Sequence, residues 1–241
     1  MFKSNALSRY LSIPAKLILA SGLIIIMILL ISYKPIFASD EYDSMTDLME
    51  DTKEGEDWVI FKNVTGSDTL IAAIHGGNIE AGTTELAKLT ANLGTYNYYT
   101  FKGIRRTNND ELHVTSTNYN EPTLEEMQEK VSNSVMIHGA HGNEPVVYLG
   151  GKDSDLREEI GDNLEDKGFN VEETPDYLEG RSDDNIANKN GKKAGVQLEL
   201  TTALRQSFFK NDDLSAFNRE NADNWTGEMH DFAEAIHEAV H

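Results

Sequence analysis

Three short apolar runs, each stopping at a residue able to ligate a metal or move a proton, constrain this chain more than any other feature. Thr69 to Ile74 (TLIAAI) ends in His75-Gly76-Gly77, and Ser134 to Ile137 (SVMI) ends in His138-Gly139-Ala140-His141-Gly142. Val196 to Leu200 (VQLEL) carries Glu199 near its end. Runs this short and apolar, two of them closed by glycine turns, predict buried strands. Tyr96 to Phe101 and Leu112 to Thr115 are further strand candidates. Helical patterns lie between them: Thr83 to Leu93 closed by Gly94, Thr123 to Lys130 opened by a Thr123/Glu126 capping box, and Asp155 to Lys167 closed by Gly168. A last helix, Glu228 to Val240, places Phe232, Ala235, Ile236 and Ala239 on one face. Strands alternating with helices predict a single α/β domain, a mixed and mostly parallel sheet flanked by helices. In such sheets the site forms beyond the carboxyl ends of the strands, where His75, His138 and Glu199 fall.

The spacing of these residues points to metal chemistry. Glu80 follows His75 by five residues across Gly76-Gly77-Asn78-Ile79, and the glycines permit a tight turn that folds the carboxylate back toward the imidazole. With His138 the set becomes His2Glu, a ligand pattern that leaves a fourth tetrahedral position open, as catalytic zinc requires. His141 competes with His138 for the third position, and spacing does not separate them; His138 is nearer the strand end. Glu199 is the candidate general base. His113 lies in a predicted strand as a packed or supporting residue, and His237 and His241 belong to the C-terminal helix and its end. The 241 residues include no cysteine, which excludes disulfide scaffolds, thiolate metal sites and cysteine nucleophiles.

Residues 1–39 hold four cations (Lys3, Arg9, Lys16, Lys34) and no acid, with an almost wholly apolar run at residues 17–32. A basic region followed by an apolar core is an export signal, with a cut expected near Ala38; uncleaved, the segment is a membrane anchor through residues 17–32. Either way a secreted or membrane-anchored extracytoplasmic body is expected. The whole chain carries a net charge of −20; the export segment takes four of the 21 cations and none of the 41 acids, leaving −24 on the remainder. Such a body is self-repelling, is expected to be a monomer, and has no attraction for nucleic acid. Residues 40–57, with nine acids, one lysine and no clean apolar period, predict a solvated tether, so that the folded domain spans residues 58–241.

Four blocks together carry a family likeness. They are His75-Gly76-Gly77-Asn78-Ile79-Glu80-Ala81-Gly82-Thr83-Thr84-Glu85-Leu86-Ala87, then Leu112-His113-Val114-Thr115-Ser116-Thr117, then His138-Gly139-Ala140-His141-Gly142, then Asn185-Ile186-Ala187-Asn188 with Gly195-Val196-Gln197-Leu198-Glu199 and Leu204-Arg205. Over about residues 58 to 210 the chain resembles the poly-γ-glutamate hydrolase family of bacteriophages and bacilli. The resemblance implies a zinc-carboxypeptidase-like fold and a Zn2+-dependent hydrolase of the γ-linked glutamate polymer. It implies His75, Glu80 and His138 as zinc ligands and Glu199 as the base.

A strongly acidic body should repel a polyanionic substrate. Of the 17 cations after residue 39, however, 13 fall between Lys102 and Lys210, which allows a locally positive cleft. Arg105 and Arg205 are the expected partners of substrate carboxylates or of the developing oxyanion. Two alternatives stand beside the polymer hydrolase: a hydrolase of γ-glutamyl bonds in cell-wall peptides, and a surface protein that binds the polymer without cutting it.

Overall fold

The computed structural model describes residues 40–241; the export segment read from the sequence lies outside the described residues. Seven strands form one sheet in the order β1-β3-β2-β4-β7-β5-β6: β1 is Trp58–Asn63, β2 Thr69–Gly77, β3 Asn97–Gly103, β4 Asn133–Gly139, β5 Val147–Gly151, β6 Val171–Glu172 and β7 Val196–Leu200. The central strands β3, β2, β4 and β7 run parallel, while β1 pairs with β3 and β5 with β7 in antiparallel fashion. This is the expected single α/β domain with a mixed sheet.

The sheet is buried on both faces because its central strands are apolar on both. In β2, Ile71 and Ala73 pack on one side and Leu70, Ala72 and Ile74 on the other. The first side is covered by α2 (Thr83–Gly94), α4 (Ser154–Asp166) and α7 (Gly227–Val240), the last through Phe232, Ala235 and Ile236. The second side is covered by α3 (Pro122–Gln128), through Leu124 and Met127, and by the loops carrying Leu112, Val114, Tyr119 and Ile186.

Several boundaries differ from the sequence reading, each for a local reason. Leu112 to Thr115 is not a strand: residues Asn109–Leu112 form a 3-10 turn, and His113 N–H closes on Asp110 O. Helix α3 is capped by Glu121, whose carboxylate accepts from Thr123 and Leu124 N–H, with Pro122 at the first helical position instead of a Thr123 capping box. Strand β5 was not anticipated; its Val147-Tyr148-Leu149 is too brief to stand out by periodicity.

The acidic segment before β1 is not a solvated tether. Met45–Asp51 forms a helix, α1, capped by Ser44, and Met45 and Leu48 are fully buried against Leu112, Tyr119 and the second face of the sheet. Met45 and Leu48, one turn apart, with the partly buried Met49 beside them, dock a helix whose acidic positions Asp47, Glu50 and Asp51 face solvent. Average composition hid that pair.

Candidate active site

The parallel strands β2, β4 and β7 end at one edge of the sheet, and their last residues form the site. Glu80 N–H donates to His75 O at 2.8 Å, closing a turn that carries the Glu80 carboxylate back over the strand end. Gly77 sits at φ 67°, a conformation that favours glycine, and a Cβ there would meet the Gly103 backbone. Glu80 Oε1 thereby lies 3.1 Å from His75 Nδ1, and Oε2 accepts from Gly139 N–H at 2.8 Å. Gly139 has to be small, since a Cβ would run into the Arg205 guanidinium and Glu80 Cβ.

His138, at the end of β4, places Nδ1 3.2 Å from His75 Nδ1 and 3.8 Å from Glu80 Oε2. His141, its rival in the sequence, is exposed. The His75 Nε2–H donates to Val114 O at 2.9 Å, so in the neutral ring the lone pair belongs to Nδ1 and faces Glu80 and His138. Burial and the neighbouring imidazoles push His138 down to about 3, which keeps it neutral, and its Nε2 is buried with no hydrogen-bond partner. The His75 lone pair, His138 Nδ1 and a carboxylate converging at these distances form a set that a divalent cation satisfies.

His113 is the fourth member. Its ring stacks on His75 with centroids 4.0 Å apart, its Nε2 is 3.9 Å from Glu80 Oε1, and the donor atoms of His75, Glu80 and His113 all lie within 4.8 Å of one another. Burial would raise the Glu80 carboxyl, but His75, His138 and His113 outweigh it and hold Glu80 well below the usual range.

Glu199 is paired in register with His138 across β4 and β7 and is buried. Burial, then the charge of Glu80, raises its carboxyl well above the usual value, with Arg205 opposing. Its orientation is set by a relay whose polarity is unambiguous. Asn185 Oδ1 accepts from Ala187 N–H, so Asn185 Nδ2 donates to Gln197 Oε1 at 2.8 Å. Gln197 Nε2 is therefore the atom that faces Glu199 Oε1 at 3.1 Å, while also donating to Leu178 O. The relay joins residues 12 apart and has no local signal in the sequence.

The two arginines expected at the substrate are otherwise engaged. Arg205, 6% exposed, donates through Nε to Leu200 O at 3.1 Å, through one terminal nitrogen to Ala81 O at 2.7 Å and through the other to Ala140 O at 3.1 Å. Each of these carbonyls follows a site residue in sequence, so Arg205 ties together the three segments carrying Glu80, His138 and Glu199. Arg105 is held by Asp57 at 2.7 Å and Glu111 at 2.8 Å. The other cations of residues 102–210 are also largely paired, Lys102 with Glu220, Lys152 with Asp183, and Lys189 with Glu125. Arg105 and Arg205 are thus both held by partners within the chain.

Comparison with known proteins agrees with this architecture. The phage enzyme described as bacteriophage poly-gamma-glutamate hydrolase superimposes with a TM-score of 0.81 at 34% identity, covering 84% of this chain and 97% of that one. A zinc-free apo form of YndL superimposes with a TM-score of 0.76 at 29% identity, covering 84% and 98%. Among Bacillus subtilis (strain 168) proteins, the SPbeta prophage-derived protein YoqZ is 34% identical over 76% of this chain and 66% of its own length. YmaC, from the same organism, is 31% identical over 82% of each chain. This chain spans just under two thirds of the length of YoqZ. The family model described as poly-gamma-glutamate hydrolase matches residues 42–235, from just before α1 into α7, and the chain belongs to that family.

Proposed function

We propose that the chain is an exported, zinc-dependent amidohydrolase that cleaves γ-glutamyl bonds of poly-γ-glutamate and acts as a monomer outside the cytoplasm. The observation that carries this reading is the convergence of His75, Glu80 and His138 beside a buried Glu199, in a chain of this family. The zinc-free designation of the solved YndL relative supports the choice of metal. The export part of the reading rests on the sequence of residues 1–39; among the described residues no helix is long and apolar enough to cross a membrane.

His75, Glu80 and His138 would hold the zinc ion, which supplies Lewis-acid polarisation of the scissile carbonyl and acidifies water. The chain's own groups do the rest. Glu199 takes a proton from the attacking water and returns it to the departing amine. Burial suits it to this role, because a carboxylate withdrawn from water is the stronger base. Gln197 and Asn185 keep its Oε1 in a fixed direction, and Arg205 fixes the spacing of the segments that carry the ligands and the base. Orientation of this kind is worth more to a reaction than added contacts far from it.

The substrate assignment is tested by product analysis of two reactions run side by side, one on poly-γ-glutamate and one on γ-glutamyl peptides from cell walls. The polymer is expected to be cut and the wall peptides spared. Cleavage of the peptides alone would transfer the same chemistry to the wall; zinc-dependent binding of the polymer without cleavage would favour a binding protein.

A further inference from the structure

The residue that completes this site from outside it belongs to the segment whose composition suggests a tether. Asp40 is the first described residue of the chain. Its Oδ1 accepts from His113 Nδ1–H at 2.7 Å and its Oδ2 accepts from Thr115 N–H at 2.7 Å, across 73 and 75 residues of sequence. Both carboxylate oxygens are thus committed to the loop that carries His113, and the Asp40 side chain is only 16% exposed. Helix α1, docked through Met45 and Leu48, anchors the backbone a few residues further on.

A neutral histidine that gives its Nδ1 proton to a carboxylate keeps a lone pair on Nε2; this carboxylate–imidazole arrangement fixes the tautomer and orientation of histidines at metal sites. The Nε2 of His113 points to the donor cluster, 3.9 Å from Glu80 Oε1, from a ring stacked on His75. His75 has its own backing from the Val114 carbonyl, one residue beyond His113, so the same loop prepares two imidazoles at once.

We propose that Asp40 is a positioning residue of the metal centre: through His113 it fixes the orientation of an imidazole beside His75 and Glu80. The proposal rests on the metal-centre reading above and extends it to a residue immediately following the export segment. It also means that the acidic segment is needed for the site, and that a domain trimmed to start at Trp58 would lack part of it.

The test measures zinc affinity of the full-length protein by competition with a chromophoric chelator, together with the visible spectrum of the cobalt(II)-loaded form. Asp40→Ala is expected to lower zinc affinity about 10- to 100-fold and to alter the cobalt bands. Asp40→Asn keeps the shape and the Thr115 contact, so it guards against a folding defect, and it should lower affinity about 10-fold. Because Asp40 acts through His113, the Asp40→Ala/His113→Ala pair should bind zinc no more weakly than His113→Ala alone. Wild-type affinity and cobalt spectrum in both Asp40 variants, or additive losses in the pair, would overturn the proposal while leaving the metal centre intact. A wild-type protein that takes up no zinc would overturn the metal centre and this inference with it.

Discussion

Changing Glu199 to Gln is expected to lower kcat on poly-γ-glutamate by about 10²- to 10⁴-fold, the range that a positioned general base contributes. The substitution is nearly isosteric and occurs at a buried strand position whose backbone is paired on both sides, to β4 and to β5, so the fold should be unchanged. Zinc content should also be unchanged, because the ligands belong to His75, Glu80 and His138. What disappears is the only carboxylate at the end of β7 able to take the proton. Steady-state kinetics with parallel metal analysis checks this. A variant with full zinc and a rate within about threefold of the wild type would remove Glu199 from the role, on a scale where tenfold is about 1.4 kcal/mol of barrier.

Arg219 should matter as much to stability as Glu199 does to rate. Its side chain is fully buried; one terminal nitrogen bridges both Glu85 oxygens at 2.9 and 3.1 Å and the other donates to Asn78 Oδ1 at 2.8 Å. Its Nε is spent on Leu214 O, so each guanidinium nitrogen has a fixed partner. Arg219→Met leaves the Glu85 carboxylate buried without a counter-charge, which costs about 3–5 kcal/mol. It also frees Asn78, which lies in the turn between His75 and Glu80. Denaturant unfolding of the variant should show that loss, and Glu85→Leu/Arg219→Met should recover much of it, since an apolar pair removes the orphaned charge. A loss below about 1 kcal/mol in Arg219→Met would mean that the buried pair carries little of the fold.

The parts of the molecule visible in the sequence are those governed by local pattern. Short apolar runs ending in glycine turns placed β2, β4 and β7 and set His75, His138 and Glu199 at their ends, and the glycines around residue 77 announced the return of Glu80. The parts that were hidden depend on pairings far apart in the chain. Asp40 reaches His113 across 73 residues, Arg219 reaches Glu85 across 134, and neither has a periodic signature. Arg205 was read as a substrate ligand because a cation near an active-site motif invites that role, yet its donors are taken by the carbonyls of Ala81, Ala140 and Leu200. Charge counted along a sequence says which residues are present and nothing of what already neutralises them. The helix at Met45–Asp51 was masked for a related reason: nine acids in 18 residues dominate the average, while burial is decided by Met45 and Leu48.

Whether a metal centre in this chain cuts a γ-glutamyl polymer is decided by following the size of high-molecular-weight poly-γ-glutamate. The full-length protein would be assayed loaded with zinc, stripped by a chelator, and reloaded after stripping. Polymer size is expected to fall with the loaded and reloaded protein and to stay constant with the stripped one. An undiminished fall with zinc removed would contradict the metal centre; an unchanged polymer in the presence of protein carrying one bound zinc would contradict the substrate.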